Sequence, residues 1–343
     1  MQATIITGKE RLEVIEVPEP EPRPGAAVVD IGLCGICGSD VSAYKSGMPY
    51  PPMLCGHEWF GNVTAVGSDV KGIAEGDRVV MAIPPACGSC GPCLAGHSHR
   101  CEQYMKMAFG LHPLTPPHGG YAPRIAVPHE ALVPIPAALP ATQAAQIEPS
   151  TVALHAVRRR PPRVGDTVVV IGAGPIGLLT AQIAGIAGAG RVVMVEPRES
   201  RRALALKLGI DAAYAPGDEL STALHELTHG LGADVVYECA GSDASLASAF
   251  QHVRPGGTVM MVGVASRPVT IDTTPWLIKE AIVDSSFAHL HHEFLITIDL
   301  LTDGRLQVEP LHDLTIGLAG LPDAFADLAA GSDHVKVLVD PDL

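Results

Sequence analysis

Short runs of β-branched and apolar residues, each closed by Gly, Pro, Asp or Asn, fill the first 150 positions of the chain. Ala26–Ile31, Gly61–Val66 and Asp77–Ala82 read as short strands of an irregular β-rich domain, because brief apolar runs broken by turn residues fit pleated structure better than helix. Pro18–Gly25 alternates Pro with Glu and Arg and reads as a solvated connection. From Gly165 the pattern changes to a repeat of apolar strand, glycine and apolar helix. Thr167–Ile171, Arg191–Val195, Ala233–Glu238, Thr258–Val262 and Ala281–Phe287 are the predicted strands, and Gly177–Gly188 and Glu199–Leu208 the clearest helices. Such alternation predicts a doubly wound parallel sheet. Residues 288–343 hold an apolar helix, Leu321–Ala330, and a strand, Lys336–Val339; too short for a third domain, they are expected to return to the first. The fold class is therefore α/β, with a β-rich domain of residues 1–149 and 288–343 and a doubly wound domain of residues 150–287.

Composition narrows the function. With 343 residues, 47% of them hydrophobic and 17% charged, the chain has material for real cores. Its net charge of −14 has the wrong sign for a nucleic-acid partner or an anionic membrane, so neither is expected. No apolar stretch reaches the roughly 20 residues of a membrane helix, and Met1–Glu10 lacks the zones of a signal peptide. A soluble, cytoplasmic protein is expected, in which eight cysteines read as metal ligands rather than disulfides.

Cys87, Cys90, Cys93 and Cys101 follow the spacing C-x2-C-x2-C-x7-C. Four thiolates in one loop make a closed tetrahedral set suited to structural zinc. Free buried thiols and an iron–sulfur cluster are the competing readings, the latter with a different ferredoxin spacing. A nucleic-acid zinc ribbon is disfavoured, since the loop carries no basic, aromatic-interleaved surface. Upstream, Cys37 and the pair His57-Glu58 offer a thiolate, an imidazole and a carboxylate, three donors of an open, catalytic type of zinc site.

Gly172-Ala173-Gly174-Pro175-Ile176-Gly177 fits G-x-G-x-x-G between a predicted strand and an apolar helix. Gly172, Gly174 and Gly177 there allow a tight turn, approach of a pyrophosphate and close helix packing; Pro175 and Ile176 open the helix, where a missing N–H costs little. Glu196 ends the second predicted strand, placed to bind ribose hydroxyls and favour NAD. Arg198, Arg201 and Arg202 leave NADP as the alternative.

The succession of Cys37-Gly38-Ser39-Asp40, of Gly56-His57-Glu58 with Gly61, Val63, Val66 and Gly67, of Gly76-Asp77-Arg78-Val79, of the four-cysteine loop and of the glycine turn resembles the zinc-dependent medium-chain alcohol dehydrogenase superfamily over nearly the whole chain. That resemblance implies a GroES-like catalytic domain joined to a Rossmann NAD-binding domain. It makes Cys37 and His57 catalytic zinc ligands, with Glu58 a ligand or an exchanging neighbour, and Ser39 the group that takes the substrate proton. Asp40 is expected to orient His57 through its second ring nitrogen. Gln146-Ile147-Glu148-Pro149 is similar to the Glu-Pro of the polyol, butanediol and threonine branches, so Glu148 would bind zinc or a zinc-bound water. Relatives carry His where this chain has Ser42, which leaves the outer proton relay open among Tyr44, Ser42 and water. Arg201, the Val262-Gly263-Val264 strand end, Ser286, Phe287 and Lys336 stand where relatives contact the cofactor.

The implied chemistry is reversible hydride transfer between a secondary alcohol, vicinal diol or polyol and NAD, with two zinc ions per chain, a small alcohol or ketone as partner and a homodimer or homotetramer as assembly. A threonine-type dehydrogenase, a zinc-free quinone reductase and a non-catalytic zinc-stabilised NAD-binding protein are the alternatives. Tyr44, Trp59 and the loop Met107–His118 are expected to wall the substrate pocket. His289, His291 and His292 are expected on a solvated or subunit-contact surface, and Arg158–Arg163 in a solvated linker.

Overall fold

The computed structural model describes residues 1–265 and 267–343. They divide into two compact units: Met1–Glu148 with His289–Thr302 and Leu311–Leu343, and Pro149–Ala288 with Asp303–Pro310.

The first unit is built on a seven-stranded sheet. At its centre the ten-residue strand Ala26–Gly35 pairs antiparallel with Glu58–Val66 and, over its first half, with Arg124–Pro128. Nearly every position of that strand is buried, which is why its sequence, Asp30 apart, is apolar rather than alternating. Lys336–Val339, returning from the C-terminus, pairs antiparallel with the end of the same strand, at Cys34 and Gly35. One core gathers Val29, Trp59, Tyr121, Phe325 and Val337 around the sheet. Trp59 is fully buried there, and Tyr44 is 8% exposed and packed on Phe325 with ring centroids 5.4 Å apart, so both belong to the core and not to a pocket wall.

The second unit carries a six-stranded parallel sheet. Thr167–Ile171, Arg191–Val195, Ala212–Tyr214, Ala233–Glu238, Val253–Met261 and Ile282–Ser285 follow one another along the chain, and the first three lie in reverse order on one side of the last three. This is the 3-2-1-4-5-6 order of a dinucleotide-binding sheet. Val169, Val193, Val236 and Val259 fill its core with Phe250.

Two expectations change. Residues 303–310 pack with the second unit, because Gln307 exchanges hydrogen bonds with the side chain of Gln182: its N–H donates to Oε1 (2.9 Å) and its carbonyl accepts from Nε2 (3.0 Å). The basic run at 158–163 is not a loose linker, since Arg158 and Arg159 end the helix Ile147–Arg159. Arg159 and Arg160 both grip Asp284, at 2.7 and 3.0 Å. No helix among the described residues is long and apolar enough to cross a membrane.

Candidate metal centres and dinucleotide turn

Cys37 caps the helix Gly38–Ser46, with its N–H donating to Asp40 Oδ2 (3.3 Å), so the thiol sits at a helix N-terminus where negative charge is favoured. Gly47 ends that helix in the left-handed conformation (φ 71°) and starts the loop that returns to His57. The loop closes tightly at Gly56: its φ is +72°, and a Cβ there would come within 2.8 Å of Cys34 Sγ and the Tyr121 ring, so only glycine fits. Ligand atoms of Cys37, His57 and Glu58 then all lie within 4.8 Å of one another, which brings Cys37 to the pair His57-Glu58.

The electrostatics of this group match its donor chemistry. Burial, then the Glu58 carboxylate, push the Cys37 thiol up. Burial opposes the imidazolium of His57, but Cys37, Asp40 and Glu148 more than offset it and hold its pKa well above the histidine value. A thiol, an imidazole and a carboxylate so close together form a site a dication fits, because a bound cation favours the thiolate and the neutral imidazole together.

His57 Nδ1 bonds the carbonyl of Leu54 at 2.8 Å and lies 3.8 Å from Asp40 Oδ1. The carbonyl therefore orients the ring and leaves Nε2 for a metal, a correction to the role expected of Asp40. Asp40, fully buried, instead accepts from Tyr121 Oη (2.7 Å) through Oδ2. Ser39 Oγ shares a hydrogen bond with Tyr50 Oη at 3.2 Å, a partner that nothing in the sequence singled out.

Lys336 requires a second correction. It is 1% exposed and donates to Ile36 O (3.2 Å) and Glu58 Oε2 (2.5 Å), so it is the buried counter-ion of Glu58 and not a cofactor-phosphate contact. Burial disfavours its ammonium, yet Glu58 and Cys37 more than compensate and raise its pKa.

Glu148 opens the helix Ile147–Arg159 and bonds His289 Nε2 at 3.1 Å. Burial works against its ionisation, but the bond from His289 and the field of His57 leave its carboxyl below the ordinary range. His289 is 4% exposed and stands edge-on to Phe294, and His291 Nδ1 bonds Ile83 O at 2.9 Å, which corrects the expectation of a solvated histidine surface for these two. Of the loop expected to wall the pocket, Phe109 and Leu111 are exposed, while His118 is buried with Nδ1 on the carbonyl of Gly119 (2.7 Å).

Cys87, Cys90, Cys93 and Cys101 also converge within 4.8 Å. Cys101 Sγ accepts from the N–H of Cys87 (3.4 Å), and Ser89 Oγ donates to Cys87 Sγ (3.6 Å). Donors from Ser89 and Cys90 push the Cys87 thiol down to about 6, whereas the bond with Cys90 drives Cys93 up to about 12. Donors aimed at sulfur favour the thiolate form that a four-thiolate metal site needs.

In the second unit, Gly172 has φ +99°, and a Cβ on Gly177 would meet Gly172 O at 1.8 Å, so helix and turn touch backbone to backbone. A Cβ on Gly174 would meet nothing within 4 Å; this face of the turn, at the N-terminus of the helix Pro175–Ile186, is open to a ligand. Glu196, buried, accepts from the N–H of Ala173 (2.8 Å) and of Arg198 (3.1 Å), and Arg202 Nη1 is engaged by Glu196 O (2.9 Å) and Pro197 O (2.6 Å). Val262 and Gly263 donate through their N–H groups to Glu238 O, both at 2.8 Å, while Val264 is exposed. Ser286 N–H bonds Met261 O (2.9 Å) and Phe287 is exposed beside it. Glu238, missed in the sequence, is 1% exposed at the carboxyl end of its strand, with Oε1 on the N–H groups of Ala240 and Gly241 (2.8 Å each).

Residues 23–137 match the model of the alcohol dehydrogenase GroES-like domain and residues 175–303 that of the zinc-binding dehydrogenases. The chain is 30% identical to D-xylulose reductase A of Aspergillus oryzae, over 98% of its own length and 95% of the relative's. It belongs to the zinc-dependent medium-chain alcohol dehydrogenase superfamily. Within that superfamily its place is the polyol branch, among dehydrogenases and reductases. The 2R,3R-butanediol dehydrogenase of Bacillus subtilis superposes with a TM-score of 0.83 at 29% identity, covering 99% of both chains. A zinc-binding chain from Sinorhizobium meliloti solved with NADP bound gives 0.87 at 32% identity, again over 99% of both.

Proposed function

We propose that the protein oxidises a secondary alcohol of a vicinal diol or polyol to the ketone, reversibly, with NAD as hydride acceptor and two zinc ions per chain. The convergence of one thiol, one imidazole and one carboxylate at Cys37, His57 and Glu58, with the hydroxyl of Ser39 two residues from Cys37, carries this reading. Cys37, His57 and Glu58 would hold the catalytic zinc, with Glu148 as the adjoining carboxylate, and Cys87, Cys90, Cys93 and Cys101 the structural one. When bound, zinc supplies the positive charge that lowers the pKa of an alcohol hydroxyl, and the nicotinamide supplies the hydride acceptor.

The chain's own residues do the rest. Leu54 O fixes the His57 ring, Lys336 fixes Glu58, His289 fixes Glu148, and Ser39 receives the hydroxyl proton. The turn Gly172, Gly174, Pro175, Ile176 and Gly177 would take the pyrophosphate, and Glu196 the ribose hydroxyls, with Arg201, Val262, Gly263, Val264, Ser286 and Phe287 as further cofactor contacts. The polyol and diol activities of the relatives favour this reading over the threonine-type alternative. The edge strand Ile282–Ser285, with Ile282 exposed, and the exposed Leu277 and Ile278 of the helix Thr274–Ile278 support a homo-oligomer, since exposed apolar side chains beside an open sheet edge call for a partner. Cysteines grouped as metal donors suit a cytoplasmic location.

The test is a panel of butanediol, sorbitol, threonine and simple secondary alcohols with NAD and with NADP, on protein of measured zinc content. Diol- or polyol-dependent NAD reduction supports the proposal. No reduction by any alcohol at full zinc loading refutes it, and preference for NADP refutes the role given to Glu196.

A further inference from the structure

Oxidation of an alcohol breaks a C–H and an O–H bond. The hydride and its electron pair leave with the nicotinamide, the C=O bond forms, and the hydroxyl proton must reach solvent. Ser39 receives that proton on the reading above but cannot keep it, because the serine hydroxyl already carries one. Among the described residues, the side-chain partner recorded for Ser39 Oγ is Tyr50 Oη, at 3.2 Å.

The other routes suggested by the sequence lead elsewhere. Tyr44 is packed into the core on Phe325. Oδ2 of Asp40 already accepts from Tyr121 and from the N–H of Cys37. His57 Nδ1 is taken by Leu54 O.

Tyr50, by contrast, is half-buried, packed against that core without being enclosed in it. Its placement is built into the backbone: Pro49, Pro51 and Pro52 flank it, and proline fixes φ and restricts the residue before it to extended conformations. The same loop, running from the left-handed Gly47 through the turn Pro52–Leu54, supplies the carbonyl that orients His57. One stiff segment thus sets both the imidazole and the phenol.

We propose that Tyr50 is the outer catalytic residue of the proton path, resting on the dehydrogenase reading above. The substrate hydroxyl proton passes to Ser39 Oγ, the proton of Ser39 passes to Tyr50 Oη, and the proton of Tyr50 passes to water. Both side chains end neutral, as they began. A phenolate is never formed, which agrees with burial and Asp40 holding Tyr50 far above the ordinary phenol range.

The experiment compares zinc-loaded wild type, Tyr50→Phe and Ser39→Ala with butanediol and NAD, after zinc content and melting temperature show that the variants are intact. Tyr50→Phe is expected to lose roughly 10²-fold in kcat, with KM little changed and with the lost rate returning in proportion to added imidazole, to which wild type is indifferent. A second readout needs no turnover. Trifluoroethanol, too electron-poor to give up hydride readily, is bound with NAD, and an indicator dye follows release of its proton; Tyr50→Phe should release it more slowly. Wild-type kcat in Tyr50→Phe, a loss confined to KM, or a loss that imidazole does not rescue overturns the assignment of Tyr50. If Ser39→Ala is inactive in that case, the dehydrogenase reading stands alone. If wild type oxidises no alcohol, that reading fails and takes this proposal with it.

Discussion

Removing the ammonium of Lys336 isolates one charge in the core of the first unit. In Lys336→Met the stem keeps its length and packing, while Glu58, 2% exposed, loses the partner at 2.5 Å and Ile36 O loses its donor. Breaking a buried ion pair from one side costs about 3–5 kcal/mol, because the remaining charge stays desolvated; replacing both members can be nearly neutral. Lys336→Met should therefore lose about 3–5 kcal/mol in chelated protein, and Lys336→Met with Glu58→Gln should lie within about 1 kcal/mol of wild type. A zinc ion bound through Cys37, His57 and Glu58 gives the carboxylate a second cation, so the cost in zinc-loaded protein should be smaller. The chain has two tryptophans, one in each unit, Trp59 and Trp276. Urea unfolding followed by Trp59 fluorescence in a Trp276→Phe background thus reports on the first unit. A single variant within about 0.5 kcal/mol of wild type without zinc, or a double variant as unstable as the single, would refute the argument.

Gly177→Ala must push its Cβ away from Gly172 O, 1.8 Å distant, so calorimetry should show weaker NAD binding and a less stable second unit with zinc content unchanged. Cys101→Ser should lose one of two zinc ions per chain by elemental analysis and leave the other in place. In chelated protein at pH 7, iodoacetamide should label Cys87 well before Cys93 by mass spectrometry, since their pKa values of about 6 and about 12 leave the first ionised and the second protonated. His289→Leu should destabilise chelated protein in a pH-dependent way. The pKa of Glu148 is depressed below 4.5, so its contribution is present above that value and disappears as pH falls through the folded-state pKa. The gap between wild type and variant in urea midpoint should accordingly be wide at neutral pH and narrow below 4.5.

Local patterns made much of this legible. The glycine turn is read from six consecutive residues and the four-cysteine loop from fifteen, because backbone conformation and ligand spacing are properties of short segments. What escaped joins distant segments: Lys336 meets Glu58 across 278 positions and His289 meets Glu148 across 141. A lone basic residue on a strand, or a histidine in a run of three, reads as surface until the sheet pairing of Lys336–Val339 and the return at His289 bury it. Tyr50 lies nearer, 11 positions from Ser39, but its direction depends on the turn of a proline-rich loop that no periodicity describes. Trp59 failed as a pocket residue for a simpler reason. Its strand is buried at every position from Glu58 to Gly61, so no alternation there separates core side chains from site side chains.

Alcohol oxidation, as proposed, depends on a zinc ion held by Cys37, His57 and Glu58. Stepwise removal of metal by chelator, with zinc per chain and diol-dependent NADH formation measured on the same samples, tests it most directly. Activity should fall in proportion to loss of one of the two ions and return on adding zinc. Undiminished NADH formation after that ion is gone would rule out such a dependence.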